Sequence, residues 1–110
     1  MNDQNTSAAK LLLTILYKLK EIDSEFPLQY AICLLEISKH EGCSLTDLST
    51  KTGLALSTIS RITGALSKFR QKGTPYGLIE MRISEIERRK KELYLTDKGR
   101  QTIKDLLTSF

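Results

Sequence analysis

The first 22 residues carry a long helical pattern of apolar positions. Between Ser7 and Ile22 these positions recur at intervals of four, three, four and three, which predicts an amphipathic helix over residues 7–22. Further leucines widen the apolar surface beyond one stripe. We interpret the helix as packing on a second copy of the chain as well as on its own domain; a helix that only covers its own core is the alternative. The expected dimer residues here are Leu12, Ile15, Leu16 and Leu19.

Residues 27–40 are apolar on most of their circumference, which predicts a central helix. Pro27 suits its first turn, because the N–H group that proline lacks would be unpaired there anyway. Gly42 is expected to be its C-cap. We therefore expect this helix to form the centre of the core.

Two shorter helices are predicted next. Ser44 and Asp47 have the spacing of a capping box, which predicts a helix over residues 45–51 that is closed by Gly53. A second helix is predicted over residues 56–70. Its inward face is expected to hold Ile59, Ile62, Leu66 and Phe69, and its outer face Thr58, Ser60, Arg61, Thr63 and Ser67.

The last third of the chain predicts a hairpin and a final helix. Glycine and proline mark residues 71–77 as a loop, and two alternating runs, within residues 78–83 and 92–95, predict antiparallel strands around a charged tip. Thr96 is expected to cap a helix over residues 96–110. Its expected dimer residues are Ile103, Leu107 and Phe110.

These elements predict one domain that is mainly α with a small β-hairpin. A length of 110 residues fits a single domain spanning 1–110. Within it, residues 27–95 would form a winged helix-turn-helix, with the recognition helix at 56–70 and the wing at 78–95. The helices at 7–22 and 96–110 would flank it and mediate dimerisation.

The net charge of +4 is unevenly distributed along the chain. Residues 61–100 hold eleven basic and five acidic side chains, a net charge of +6, whereas the rest hold six basic and eight acidic, a net charge of −2. A basic segment of this kind favours an anionic partner. The predicted recognition helix and wing therefore carry the positive charge.

Several function classes find no support in the sequence. The N-terminus lacks a basic signal region, and charged residues interrupt the apolar run that follows, so we expect a cytoplasmic protein without a membrane span. The spacing of the two cysteines, Cys33 and Cys43, and of the single histidine, His40, fits neither a metal site nor a disulfide framework. For both cysteines, a packing role is favoured over redox sensing. No catalytic arrangement can be assembled, so we expect a non-enzyme without cofactors or metals.

Two helices joined by a short glycine-containing turn match the helix-turn-helix plan. Small side chains near the start of the second helix let its backbone approach base edges, and an arginine one turn on can reach guanine or phosphate. Ser and Thr near a helix start are also ordinary capping residues. The DNA-binding residues expected on this helix and the following loop are Leu56, Ser57, Thr58, Ser60, Arg61, Thr63, Arg70 and Lys72.

The hairpin tip strengthens this interpretation. Four consecutive basic residues, Arg88, Arg89, Lys90 and Lys91, stand where a turn would ordinarily carry Gly, Asn or Asp. A basic tip beside a recognition helix suits phosphate and minor-groove contacts. A merely solvated hairpin would explain an isolated charge run, but here the run follows a helix-turn-helix pattern at the distance that a wing requires.

Six short segments resemble the MarR family of winged helix-turn-helix regulators: residues 45–49, 52–54, 57–62, 77–80, 87–89 and 93–100. The more specific of them are Glu87-Arg88-Arg89 and the Leu-Thr-Asp-Lys-Gly run at 95–99. The resemblance covers about residues 26–107. It implies a homodimeric, double-stranded-DNA-binding regulator, usually a repressor on a pseudo-palindromic operator. By position, it implies recognition-helix contacts at Ser57, Thr58 and Arg61 and wing contacts at Arg88 and Arg89.

The sequence departs from this family at three places. Ala55 stands where a capping Ser or Asp is usual, and we expect the exposed Leu56 beside it to contact DNA, for instance a thymine methyl group. Residues 71–76 lengthen the join to the wing; Lys72 and Tyr76 could add phosphate contacts there, with a plain surface loop as the alternative. Because the sequence ends at Phe110, we expect the family's further C-terminal helix to be missing, and this expectation weakens the case for a small-molecule effector.

The sequence leaves a second function class open. The same fold could act through protein contacts as an assembly module, on a virus or plasmid for example, because a fold alone does not define a function. The basic tip favours double-stranded DNA, with a second copy of the chain as the other partner. A small-molecule effector is compatible with the resemblance, but no residue supports it.

Overall fold

The computed structural model describes residues 3–68, 73–87 and 90–108. This part of the chain forms five helices and three strands, mainly α with a small antiparallel sheet, which confirms the predicted fold class. In chain order the elements are α1 (Asp3–Ile22), α2 (Leu28–Lys39), β1 (Cys43–Ser44), α3 (Leu45–Thr52), α4 (Leu56–Leu66), β2 (Ile79–Ile83), β3 (Lys91–Leu95) and α5 (Asp97–Leu107).

The core forms around α2, as its apolar pattern predicts. Leu34 and Ile37 of α2 are fully buried, and α2 contacts α3, α4, α5 and β3. Side chains from each of these elements complete one cluster. Full burial of a leucine or isoleucine contributes about 1.5–3 kcal/mol, so this cluster fixes how the helices are arranged.

The end of α2 differs from the prediction. His40 is the C-cap, and its N–H group donates to the carbonyl oxygens of Glu36 and Ile37. Gly42 lies two residues further on with a φ of 93°, and its N–H group donates to the Leu93 carbonyl oxygen at 2.8 Å. The expectation that Gly42 caps α2 is therefore wrong, because this glycine turns the chain into β1.

The predicted hairpin is confirmed, and a third strand joins it. β2 and β3 pair antiparallel from Ile79 opposite Leu95 to Ile83 opposite Lys91. β1 pairs with the other edge of β3, so the strand order is β1-β3-β2. The sequence did not predict β1, because a two-residue strand is too short to show alternation. β1 ties the start of α3 to the wing.

Helix boundaries differ from those predicted by a few residues. α1 begins at Asp3, before the predicted start at residue 7. α4 ends at Leu66, with Ser67 as its C-cap, and so is shorter than the predicted 56–70; Phe69 lies outside the described residues. α5 begins at Asp97, and the Thr96 hydroxyl accepts from the Gly99 N–H group at 3.0 Å, which confirms the predicted cap.

The predicted capping box begins α3. The Asp47 N–H group donates to the Ser44 hydroxyl, and the Ser44 N–H group donates to the Asp47 carboxylate, both at 3.0 Å. Hydrogen bonding from the Ser44 N–H group, and after it from the Ser44 hydroxyl, holds the pKa of the Asp47 carboxyl below its ordinary value of 3.8. Gly53 closes α3 in the left-handed conformation, with a φ of 73°, as predicted.

We expect the capping box to make stability depend on pH at the acid end. Because folding lowers the pKa of the Asp47 carboxyl, its contribution to stability is complete above the unfolded pKa of 3.8 and is lost as pH falls through the folded pKa. Asp47→Asn should lower the free energy of unfolding by up to about 1 kcal/mol at neutral pH and by progressively less below pH 4. Urea unfolding at several pH values tests this; a difference that stayed constant with pH would contradict it.

Candidate nucleic-acid interface

The turn between α3 and α4 is built by local hydrogen bonds. The Gly53 N–H group donates to the Ser49 carbonyl oxygen at 2.9 Å, which the left-handed glycine permits. The Ser49 hydroxyl donates to the Leu54 carbonyl oxygen at 2.6 Å, and the Thr52 hydroxyl accepts from the Leu54 N–H group. These bonds fix the direction in which α4 leaves the turn.

The first turn of α4 presents a mixed apolar and hydroxyl surface. Leu56 is 51% exposed, Ser57 and Ser60 are exposed, and Thr58 is half-buried. Ala55, the N-cap, has no side-chain hydrogen bond to the first turn of the helix. The backbone N–H groups at this end therefore have no side-chain cap, an arrangement that suits a phosphate.

Arg61 extends this surface by one turn. Its side chain is exposed and forms no ion pair with the part of the chain that the structure describes. A guanidinium group presents several donors in one plane, so it can bind the O6 and N7 acceptors of a guanine or a phosphate. Arg61 and the first turn of α4 together form the surface that we call the reading face: Leu56, Ser57, Thr58, Ser60 and Arg61.

Thr63 does not belong to the reading face. It is fully buried, and its hydroxyl donates to the Ile59 carbonyl oxygen at 2.8 Å. Ser67, also expected on the outer face, is buried as well. The prediction of Thr63 as a DNA-binding residue is wrong, because α2 and α3 cover more of α4 than its apolar residues indicate.

The wing begins beside this face. Ser84, which directly follows β2, is buried. Its N–H group donates to the Lys90 carbonyl oxygen at 2.8 Å, and its hydroxyl accepts from the N–H groups of Ile86 and Glu87. Lys90 and Lys91 are both exposed. Ser84 therefore organises the backbone from which these lysines project.

An open groove of about 600 Å³ brings the two parts together. One wall is the start of α3 and α4, including Leu56, and the other is the wing, with Glu87, Lys90 and Lys91. The sequence did not predict that the residues around the capping box line this groove. Their capping-box pattern indicated only a helix start, although a helix start beside a basic wing is also a place where a backbone phosphate can bind.

The loop before β2 is positioned differently from the expectation. Tyr76 is buried, and its hydroxyl donates to the Asp23 carboxylate at 2.6 Å. The suggestion that Tyr76 contacts phosphate is therefore wrong. Four of the predicted DNA-binding residues lie outside the described residues, so the structure does not place them: Arg70, Lys72, Arg88 and Arg89.

The predicted dimer residues divide into three groups. Leu12, Leu16 and Leu107 are 58%, 47% and 50% exposed and are free to meet a partner. Ile15 and Leu19 are half-buried against the core of their own domain. Of the remaining two, one is buried and the other lies outside the described residues.

Ile103 is a core residue, buried within the cluster around α2. Its assignment to the dimer contact is wrong, because α5 turns this position toward its own domain. Phe110 lies outside the described residues. Further large apolar side chains are exposed on α1 and α2: Leu11, Leu13, Tyr17, Leu28 and Ile32.

Two further findings concern other kinds of site. Within residues 3–68, 73–87 and 90–108, no three or more His, Cys, Asp or Glu side chains are placed to hold a metal ion. Over the same part of the chain, no helix combines the length and the apolar character needed to cross a membrane.

Solved structures of winged-helix regulators resemble the chain over nearly its whole length. MarR has a TM-score of 0.66 and 22% identity, covering 96% of this chain and 74% of its own. The S. aureus MepR–DNA complex has a TM-score of 0.72 and 16% identity, covering 92% of this chain and 76% of its own. The transcriptional repressor CouR, bound to a 23-mer DNA duplex, has a TM-score of 0.66 and 24% identity, covering 96% of this chain and 70% of its own. No protein-family model and no curated protein matches the sequence.

These similarities establish the fold. The chain has the winged helix-turn-helix fold of MarR-type regulators, with α3 and α4 as the helix-turn-helix and β2 and β3 as the wing. The resemblance of the short sequence segments to the MarR family predicted this same fold.

Proposed function

We propose that this chain is a sequence-specific, double-stranded-DNA-binding transcriptional regulator that acts as a homodimer, as a repressor on a pseudo-palindromic operator. The observation that carries this proposal is the groove between the helix-turn-helix and the wing: the start of α3 and Leu56 of the exposed reading face line one side, and Lys90 and Lys91 line the other. This arrangement fits a recognition helix in the major groove and a basic wing beside the adjacent backbone and minor groove.

Each group has a distinct role in this proposal. Arg61 reads a guanine edge, and the hydroxyls of the reading face bind bases or phosphates. Leu56, half-exposed at the start of α4, packs on a thymine methyl group. Lys90 and Lys91 neutralise phosphates and so supply salt-dependent affinity. The further basic residues predicted to join them are Arg70, Lys72, Arg88 and Arg89.

The similar structures support the proposal. MepR and CouR were both solved bound to DNA, and CouR is described as a transcriptional repressor. Both have the fold that positions α4 and the wing in this chain. A regulator of this kind needs no catalytic group or cofactor, and it would act in the cytoplasm, where the DNA is.

DNA selection tests the proposal. We expect the full chain to enrich inverted-repeat sequences from a random duplex pool, because a two-fold symmetric dimer presents two identical reading faces. The centres of the half-sites should lie about 10 bp apart or at a multiple of that distance. Recovery of no common sequence would contradict sequence-specific binding.

The homodimer is proposed from the exposed apolar surface of α1. Leu12→Gln with Leu16→Gln should convert the chain to a monomer, because a symmetric interface loses each side chain twice and each buried leucine contributes about 1.5–3 kcal/mol. We expect dimer affinity to fall at least about a hundredfold. Sedimentation velocity over a concentration series measures this change.

The matched control is Lys10→Gln with Lys20→Gln, which places the same new residue at two exposed positions of α1. The control should remain a dimer. A leucine double variant that still sedimented as a dimer would show that α1 does not mediate dimerisation.

A further inference from the structure

Residues Tyr76–Leu78, which we call the junction segment, bind the end of the recognition helix through their backbone. Their three N–H groups donate, in chain order, to the carbonyl oxygens of Ala65, Ser67 and Leu66, at 3.0, 3.1 and 2.7 Å. These acceptors belong to the last turn of α4 and its C-cap, where carbonyl groups have no partner within the helix. The junction segment therefore holds α4 at its C-terminal end.

The same segment is bound from the other side by the start of α5. The Lys98 ammonium group donates to the Tyr76 carbonyl oxygen at 3.0 Å. Thr96 donates its hydroxyl to the Gly77 carbonyl oxygen at 2.7 Å and its N–H group to the Leu78 carbonyl oxygen at 3.0 Å. The ends of α4, β2 and α5 thus meet at three consecutive residues.

The Tyr76 side chain connects this meeting point to the end of α1. Its hydroxyl donates to Asp23, which directly follows α1, at 2.6 Å and across 53 residues of sequence. The second carboxylate oxygen of Asp23 accepts from the Glu25 N–H group at 3.0 Å. The Tyr76 ring packs edge-on against Phe26, with ring centroids 5.1 Å apart, and against Tyr30, at 6.1 Å.

We propose that Tyr76 is a positioning residue for DNA recognition: its hydrogen bond to Asp23 sets the angle between α1 and α4, and thereby the half-site spacing that the dimer accepts. This inference rests on the proposed function, in which α1 joins two copies and α4 reads DNA. A fixed angle in each copy fixes the distance between the two recognition helices. Half-site spacing on DNA is a geometric consequence of that distance.

The test uses the full chain with Tyr76→Phe, which keeps the buried ring and removes the hydroxyl. The matched control is Tyr30→Phe, since this ring lies in the same cluster and its hydroxyl forms no hydrogen bond within the described part of the chain. Affinity is measured on duplexes that carry the selected sequence with its own half-site spacing, with one base pair added or removed, and with one half-site alone.

We expect Tyr76→Phe to bind the selected spacing about tenfold more weakly than the wild-type chain, in line with the loss of one charge-assisted hydrogen bond. Its preference for that spacing over the two altered spacings should shrink, whereas its affinity for one half-site should change by less than about twofold. Tyr30→Phe should behave as the wild type does on all four duplexes.

Two outcomes would overturn the inference: an unchanged spacing preference in Tyr76→Phe, or an equal loss on one half-site and on two, which is the mark of a general folding role.

Asp23→Ala provides a second, independent variant. Combined with Tyr76→Phe in a double-mutant cycle, it should add no further loss of spacing preference, and additive effects would contradict the inference. A wild-type chain that selects no DNA contradicts the proposed function itself, and so is distinguishable.

Discussion

Arg61→Ala is expected to weaken operator binding by more than about tenfold. A bidentate arginine–guanine contact contributes about 1–3 kcal/mol of discrimination, and a dimer would use this contact in both half-sites. Arg61 is exposed on α4 and forms no ion pair with the described part of the chain, so its replacement should leave the fold intact. Fluorescence anisotropy with the selected duplex measures the change.

Lys104→Ala is the matched control for charge, because Lys104 is equally cationic and exposed but lies in the last turn of α5. It should alter affinity by less than about threefold. Arg61→Ala should also relax the preference at one base position of each half-site. Equal effects of the two substitutions, with no change of base preference, would show that Arg61 does not read sequence.

Gly99→Ala is expected to lower the free energy of unfolding by about 2–3 kcal/mol. A Cβ atom at this position would lie 1.9 Å from the Leu78 carbonyl oxygen, which is backbone that cannot move aside as a flexible side chain would. That carbonyl also accepts from the Thr96 N–H group, so its displacement would disturb the start of α5. The gain in helix propensity, about 1 kcal/mol, is smaller than this cost.

Gln101→Ala is the control in the same helix. Gln101 is exposed, and we expect its replacement to change the free energy of unfolding by less than about 0.5 kcal/mol. Urea denaturation of both variants makes the comparison. A Gly99→Ala protein as stable as the wild type would show that α5 does not approach the Leu78 backbone so closely.

Local signals in the sequence predicted much of the fold. The capping box of Ser44 and Asp47, the left-handed Gly53 and the Thr96 cap are each determined by residues within one or two turns of each other. The two strands of the wing followed from the alternating runs within residues 78–83 and 92–95, which nearly coincide with β2 and β3. Such features do not depend on residues far away in the chain, so they can be predicted from a single sequence.

The misplaced residues depend on contacts between distant parts of the chain. A helical period assigns a polar residue such as Thr63 to an outer face, but only packing by α2 and α3 shows that this face is covered. Ile103 fits an apolar stripe that could equally meet a partner or its own core. Tyr76 lies between Pro75 and Gly77 in a loop, and its partner Asp23 is 53 residues away.

The candidate site was partly predictable for the same reason. Exposure of the first turn of α4 follows from short-range rules, so Leu56, Ser57 and Arg61 are found where the sequence indicated. The groove that joins α4 to the wing depends on β1, whose two residues bring Ser44 opposite Glu92 of β3. No sequence period reveals a strand of that length.

The salt dependence of DNA affinity tests the central claim most directly. Affinity of the wild-type chain for its selected duplex should be measured between about 50 and 300 mM salt, since each neutralised phosphate contributes about −0.9 to the slope of log K against log salt concentration. A dimer whose lysines and arginines contact several phosphates should give a slope of about −4 or steeper. A slope near zero would contradict DNA binding and favour a winged-helix protein that acts through protein contacts.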